Sequence, residues 1–197
     1  MFVSSSAKTE RDAHMCHITL RDGNFYAFLL NIDQELAGEM QAAGCRRCGS
    51  ALHKNRYERK PRGGGLINLG KPPHYHFSLS CSKCEKRHNP ASVRFFGRRV
   101  FVAAIVVLAS TLQDGLTAEW VAQLGGWLCV PRRTIARWRA WWLRDFAQSP
   151  FWKNARSRFM PPVAASTLPD SLLERFIGPD LAARLVALLR FLIPLSE

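Results

Sequence analysis

Two Cys-x-x-Cys pairs constrain the fold of this chain more than any other feature of its sequence. The pairs are Cys45 with Cys48 and Cys81 with Cys84, and 32 residues separate them. Two residues between cysteines let both thiolates point at one ion from a tight turn, and two such turns supply the four sulfur ligands of a tetrahedral structural zinc site. The long intervening segment is tolerable because loop-closure entropy grows slowly with length. We therefore predict one structural zinc ion held by these four cysteines.

The residues around the two pairs predict short strands. Side chains alternate between apolar and polar from residue 75 to residue 80, and residues 52–57 form a weaker strand candidate. Gly49 follows the first pair and can adopt a positive φ, which turns backbone amides toward the sulfur atoms. Glu85 occupies the equivalent place after the second pair and lacks that freedom. This order of turn, hairpin and turn resembles a zinc ribbon.

The cysteines leave other interpretations open. A pair of disulfides or redox dithiols is the alternative to a metal site, although a chain without a secretory signal rarely forms structural disulfides. Cys16 and Cys129 have no partner in the pattern. We expect Cys129, which is surrounded by apolar residues, to be a small core residue. Cys16 lies between His14 and His17 and is either a metal ligand or incidental.

Positive charge is concentrated in two blocks of the chain. The formal net charge is +13; residues 45–99 carry 14 basic and two acidic side chains, and residues 131–158 carry eight and one. Such segregation indicates a polyanionic partner, because the number of cations that reach one surface determines how strongly it binds phosphates. The longest apolar stretch, residues 100–109, is too short to span a membrane. We expect a cytoplasmic, nucleoid-associated protein without membrane attachment.

The second basic block predicts a helix-turn-helix. We expect a buried helix from residue 98 to residue 113, a second helix that begins at Thr117 and ends between residues 124 and 128, and a third from about residue 131 to residue 146. Val130 would fill the space between the last two helices. Ile135, Trp138 and Trp142 fall on one apolar stripe of the third helix. The alternative is an ordinary amphipathic helix pair whose arginines face solvent.

This third helix resembles the recognition helix of helix-turn-helix proteins, whose N-terminal residues enter the major groove. Arginine can contact guanine through two hydrogen bonds, and threonine can bind a phosphate or a base edge. The loop between the cysteine pairs would bind phosphates nearby. The predicted DNA-binding residues are Arg132, Arg133, Thr134 and Arg137 of the helix, and Lys54, Arg56 and Arg59 of the loop.

Two fragments of the sequence resemble parts of catalytic motifs, but the other residues of each motif are missing. His74-Tyr75-His76 has the form of the histidine pair in HUH nucleases, but none of the three tyrosines lies downstream on a helix, where that family keeps its nucleophile. His53 and Arg56 match a fragment of tyrosine recombinases, again without a helical tyrosine after it. We therefore predict that the protein is not an enzyme.

The predicted fold is mainly α with a small β zinc ribbon. We divide the chain into an N-terminal strand or helix segment (residues 1–44), the zinc ribbon (45–97), the helix-turn-helix domain (98–160) and a C-terminal helical hairpin (161–197). Within the last segment, residues 170–177 and 179–193 are the expected helices. The hairpin either caps the same domain or forms a surface for homodimerisation or for a partner.

A zinc ribbon followed by a helix-turn-helix is similar to the DNA-binding portion of insertion-sequence transposases and of small proteins encoded beside them. The resemblance depends on the four cysteines, on residues 92–100 and on residues 130–138. A DDE transposase also needs three carboxylates on a ribonuclease-H-like sheet, and the segment after residue 146 instead has a helical pattern. The resemblance thus implies binding of double-stranded DNA beside a separate recombinase or transposase, without strand cleavage. An RNA-binding ribbon and a protein-interaction adaptor are the alternatives.

Overall fold

The computed structural model describes residues 15–16, 18–58, 75–95, 102–111, 126 and 130–196. These residues are mostly helical and include one three-stranded antiparallel sheet, which confirms the predicted mainly α class with a small β component. Within these ranges no helix combines the length and the apolarity that a membrane crossing requires.

Helix α1 (Gly23–Ala43) is the longest element described. The Asp22 carboxylate begins it by accepting a hydrogen bond from the Asn24 amide at 2.9 Å, and Gly44 ends it with a φ of 76°. The sequence predicted either a strand or a helix within residues 1–44, and the apolar residues 25–30 of that segment are helical. Because Phe25 and Leu29 are one turn apart, they face the core together.

Three strands form the sheet in the order β1-β2-β3. Strand β1 (Leu52–Glu58) pairs with β2 (Tyr75–Cys81) along its whole length, and β2 pairs with β3 (Arg87–His88). The first two strands confirm the predicted hairpin to within one residue at each end. The register places Leu52 opposite Cys81, so the hairpin brings the two cysteine pairs to the same end of the sheet.

The described part of the second half of the chain consists of helices and the turns that connect them. Helix α2 (Ala103–Thr111) lies within the predicted 98–113, and residues 98–101 and 112–113 of that prediction lie outside the described residues. Helix α3 (Arg132–Ala140) continues directly into a π-helical segment (Trp141–Phe146), and together they match the predicted 131–146. Pro131 is the N-cap rather than the first helical residue, which still places its missing N–H where the helix needs none.

Short helices complete the C-terminal part. Helix α4 (Pro150–Ala155) runs into a 3-10 turn, α5 (Asp170–Leu173) is a single turn, and α6 (Leu181–Phe191) is followed by a last 3-10 turn at Ile193–Ser196. Both predicted hairpin helices are therefore present but shorter than expected. Asp180 begins α6, because its carboxylate accepts a hydrogen bond from the Ala183 amide at 2.7 Å.

One large hydrophobic core joins the N-terminal helix, the central helices and the C-terminal hairpin. Leu29, Leu108, Trp142 and Leu185 all belong to it and are fully buried. The apolar face of α6 is thus packed against the same core as α3. A second, small cluster lies inside the sheet region and consists of Cys45, Leu52, Leu79 and Cys81, with Met40 of α1 packed against it.

A buried ion pair connects the sheet to the helical core. The Arg94 Nε lies 2.7 Å from the Asp33 Oδ2, and the two side chains are 8% and 3% exposed. Arg94 also donates from its guanidinium to the backbone carbonyl of Tyr75 at 2.7 Å. Helix α1, strand β2 and the segment after β3 are therefore held together by one pair of charges.

Candidate metal centre

Two similar backbone turns carry the four cysteines. In the first turn, the Cys45 amide donates to the Ser50 carbonyl at 2.9 Å and the Gly49 amide donates to the Cys45 carbonyl at 2.8 Å. In the second turn, the Cys81 amide donates to the Lys86 carbonyl at 3.0 Å. These bonds bend each turn back on itself, so both sulfur atoms of a pair lie on its inner side.

The four sulfur atoms converge on one point. All of them lie within 4.8 Å of one another. The Sγ atoms of Cys45 and Cys84 are 3.6 Å apart, and those of Cys48 and Cys81 are 3.4 Å apart. A tetrahedral site with metal–sulfur bonds of about 2.3 Å has sulfur–sulfur edges of about 3.8 Å. The four cysteines therefore fit a single metal ion. None of them forms a disulfide.

Backbone amides point at the sulfur atoms of the two buried cysteines. The Arg47 amide lies 3.4 Å from Cys45 Sγ, and the amides of Lys83 and Cys84 each lie 3.4 Å from Cys81 Sγ. Amide hydrogen bonds stabilise a thiolate, since they place partial positive charge beside it. The turns are thus suited to hold charged sulfur rather than neutral thiol.

Both turns are closed by a residue with positive φ. Gly49 has a φ of 71°, as the sequence predicted. Glu85 has a φ of 55°, so the second turn adopts the same left-handed conformation without a glycine. The expectation that Glu85 would not contribute in this way is wrong. The hydrogen bonds of the turn and the shared sulfur cluster determine the conformation there, at a steric cost to the side chain.

The thiols differ in their affinity for protons. Hydrogen bonds from the Ser50 side chain and backbone, with a further one from Cys81, lower the pKa of Cys48 to about 6. The Cys84 amide is the main cause that lowers the pKa of Cys81. For Cys84 the Lys86 amide lowers the pKa, but desolvation and the neighbouring cysteines outweigh it and raise the pKa to about 11. The lowered pKa values of Cys48 and Cys81 favour the thiolate, which is the form of cysteine that binds a metal cation.

His88 contacts the cluster, and sequence reasoning missed it. Its Nε2 lies 3.3 Å from Cys45 Sγ. The residue belongs to the two-residue strand β3, which was not predicted because so short a polar segment has no periodicity. His88 lies opposite Leu79 in the strand register, so its ring is on the side of the sheet where the first cysteine turn lies.

Positive side chains surround the metal centre. Cys45 and Cys81 are buried, whereas Cys48 is exposed. The two turns and the start of β3 carry five exposed cations, which are Arg46, Arg47, Lys83, Lys86 and Arg87. If the centre held a divalent ion, its four thiolates would leave a net negative charge, and these cations would partly offset it.

The predicted DNA-binding residues of the loop lie on strand β1. Lys54 Nζ lies 4.5 Å from the centre of the Phe77 ring, and the Arg56 guanidinium lies 4.9 Å from the centre of the Tyr75 ring. The two cations share one face of the strand, two residues apart. Arg59 lies outside the described residues.

Helix α3 has the predicted division between its faces. Ile135, Trp138 and Trp142 are buried in the large core. Arg132, Arg133 and Arg137 are exposed, and the helix contains no acidic residue. Thr134 is 7% exposed, and its hydroxyl accepts a hydrogen bond from the Arg137 guanidinium at 3.4 Å. The arginines are thus accessible to a ligand, whereas Thr134 is largely covered.

Other predicted features fall partly outside the description. Several predicted features belong to residues that the structure does not describe: nearly all of the second helix that begins at Thr117, the core residue Cys129, and the histidines at positions 14, 17 and 74. Val130 is buried in the core, and the helix predicted before it lies outside the described residues. Cys16 is buried in the same core and belongs to a different cluster from the metal centre.

Comparisons with protein-family models, with curated proteins and with solved structures found no match. The function of the centre and of the basic helix is therefore inferred from their own residues and geometry.

Proposed function

We propose that the metal ion is zinc and that its role is structural. Four thiolates in a tetrahedral arrangement are the ligand set of structural zinc sites, and zinc does not change its oxidation state. All four positions are occupied by protein sulfur, which leaves no open position for catalysis. The surrounding hydrophobic cluster is small, so a bound ion would supply much of the stability of the sheet region.

We further propose that the protein binds double-stranded DNA through helix α3. The observation that carries this proposal is the division of the helix, whose apolar residues are buried while Arg132, Arg133 and Arg137 stay exposed. An arginine-rich face without carboxylates attracts phosphates, and its arginines can reach base edges in the major groove. We infer that α3 is the recognition helix of a helix-turn-helix.

The sheet would add contacts to the phosphate backbone. Lys54 and Arg56 are held over aromatic rings, which restricts their motion before a ligand arrives. A side chain that is already ordered loses less entropy when it binds. Two linked contact regions on one chain would raise the overall affinity beyond that of either region.

The resemblance to transposon-associated DNA-binding regions suggests the context. We propose that the protein is a non-enzymatic accessory or regulatory factor of a mobile element and acts with a separate recombinase or transposase. A homodimer through the C-terminal hairpin is a secondary proposal, and it would have to use surface outside the core-facing residues of α6, which are already buried.

Selection from a randomised pool of DNA duplexes tests the recognition helix. The wild-type chain should enrich a sequence motif, and Arg133→Ala with Arg137→Ala should blur that motif at some positions, with a loss of about 1–3 kcal/mol per contact to guanine. Arg190 is exposed on α6, so Arg190→Ala is the matched control and should leave the motif unchanged. An unchanged motif in the double variant would refute the assignment of α3.

Salt-dependent binding tests the contribution of the sheet. Lys54→Ala with Arg56→Ala should weaken binding to all duplexes alike and reduce the slope of log K against log salt by roughly one to two. Competition with structured RNA belongs to the same experiment. Preference for the RNA would replace the DNA proposal with an RNA-binding module, and failure to bind either nucleic acid at low salt would favour a protein adaptor.

A further inference from the structure

The contact between His88 and Cys45 points to a role for this histidine in the metal centre. We propose that His88 donates a hydrogen bond from Nε2 to the metal-bound thiolate of Cys45 and thereby increases the affinity for the metal. The inference depends on the proposed zinc site. It adds to that site a residue that lies on a third strand and outside both cysteine pairs.

His88 lies outside the coordination shell. The ligand atoms that all lie within 4.8 Å of one another are the four cysteine sulfur atoms, and the His88 nitrogens are not among them. His88 Nε2 lies 3.3 Å from Cys45 Sγ, but no His88 nitrogen lies within 4.8 Å of all four sulfur atoms. Four sulfur atoms already complete a tetrahedron, so a fifth ligand has no position to fill.

The direction of the hydrogen bond follows from the chemistry of a bound thiolate. A free thiol can donate its hydrogen to an imidazole nitrogen, so without metal either group can be the donor. A cysteine that binds a metal ion is deprotonated and can only accept. In the loaded centre the Nε2–H of His88 must therefore be the donor, which makes the second nitrogen, Nδ1, the free acceptor in the neutral ring.

His88 lies beside the buried sulfur atom that has fewer contacts with backbone amides. The sulfur of Cys81 receives two amide contacts from its own turn, whereas Cys45 receives one from Arg47. His88 supplies a second donor to Cys45 from across the sheet, because β3 follows directly after the second cysteine turn. The two buried thiolates thus reach equal numbers of donors, which spreads the negative charge of the centre.

Zinc affinity of three variants tests this role. His88→Phe keeps a ring of similar size without a donor, and His88→Gln keeps an N–H at about the same reach. His53 is exposed on β1, so His53→Phe is the matched control. In competition with a chromogenic chelator, His88→Phe should bind zinc about 10-fold or more weakly than the wild-type chain, and both His88→Gln and His53→Phe should stay within about threefold of it.

Two spectroscopic measurements separate this role from the alternatives. The visible spectrum of the cobalt-substituted protein should be that of four sulfur ligands in the wild-type chain and in His88→Phe. Nitrogen-15 shifts of the zinc-loaded wild-type protein should show a protonated Nε2 on His88, and this measurement does not depend on whether a variant folds.

Each contrary result has a defined meaning. Equal zinc affinity of His88→Phe and wild type, or an unprotonated Nε2, would overturn the role of His88 while leaving the zinc site intact. If the cobalt spectrum of the wild-type chain indicates a nitrogen ligand and that of His88→Phe does not, His88 is itself a metal ligand. This result would overturn the proposal. A wild-type chain that binds no zinc would overturn both the inference and the site on which it depends.

Discussion

The ion pair between Asp33 and Arg94 offers a sharp test of how the sheet is attached to the helical core. The Asp33 carboxylate accepts three hydrogen bonds, from the Ser92 hydroxyl at 2.6 Å, the Val93 amide at 2.8 Å and the Arg94 Nε at 2.7 Å. The two charged side chains are almost completely buried. Removal of the carboxylate therefore leaves a buried guanidinium and two further donors without their acceptor.

We expect Asp33→Ala to lower the free energy of unfolding by about 3–5 kcal/mol, the range for loss of one partner of a buried ion pair. For a chain of this size, a loss of about 4 kcal/mol corresponds to a fall in Tm of roughly 8–16 °C. Arg94→Ala should cost less, because the Asp33 carboxylate keeps the hydrogen bonds from Ser92 and Val93. The double variant Asp33→Leu with Arg94→Met should recover the part of the loss that comes from the unpaired guanidinium, since two apolar side chains can replace an ion pair. The Ser92 hydroxyl and the Val93 amide still lack their acceptor in this variant, so the recovery should be partial.

Guanidinium chloride unfolding of the zinc-saturated chain, followed by tryptophan fluorescence, measures these changes. Asp145 is exposed, so Asp145→Ala is the control and should change stability by less than about 0.5 kcal/mol. A loss below about 1 kcal/mol in Asp33→Ala would refute the importance of the pair. So would a double variant Asp33→Ala with Arg94→Ala whose loss equals the sum of the two single losses, because independent residues give additive effects.

Three further predictions concern local features. Glu85→Gly should raise the free energy of unfolding by about 0.5–1 kcal/mol, because glycine adopts the left-handed backbone conformation of this position without a steric cost. Gly49→Ala should lower the free energy of unfolding by about 1–2 kcal/mol for the opposite reason. Thermal unfolding measures both changes, and opposite signs would contradict the two backbone angles. Ile135→Ala should cost about 2–5 kcal/mol in chemical unfolding, since the side chain is fully buried, and a loss near zero would mean that α3 is packed differently. Asp180→Ala should cost about 1 kcal/mol through loss of the N-cap of α6, whereas Asp180→Asn should retain most of the stability.

Local pattern was enough to predict the elements whose signal lies in adjacent residues. The spacing of the cysteine pairs predicted that the four sulfur atoms would meet, because a two-residue gap dictates the same turn in each pair. The alternation from Tyr75 to Ser80 predicted β2, and the stripe of Ile135, Trp138 and Trp142 predicted which face of α3 is buried. Each of these signals is a fixed spacing between residues that are close in the sequence, which is why the structure agrees with it.

Features whose deciding residue lies outside the segment itself could not be predicted. A continuous apolar run at residues 25–30 suits either a strand or a helix, and the decisive signal, the N-cap at Asp22, precedes the run. The partners Asp33 and Arg94 are 61 residues apart, and nothing local indicates that they pair. The same is true of His88 and Cys45, which meet only because the hairpin brings β3 beside the first cysteine turn.

X-ray absorption at the zinc edge, measured on the purified chain of 197 residues, tests the central claim most directly. We predict one zinc ion per chain with four sulfur neighbours at about 2.3 Å. A chain purified without zinc, or a first shell that contains oxygen or nitrogen in place of sulfur, would contradict it.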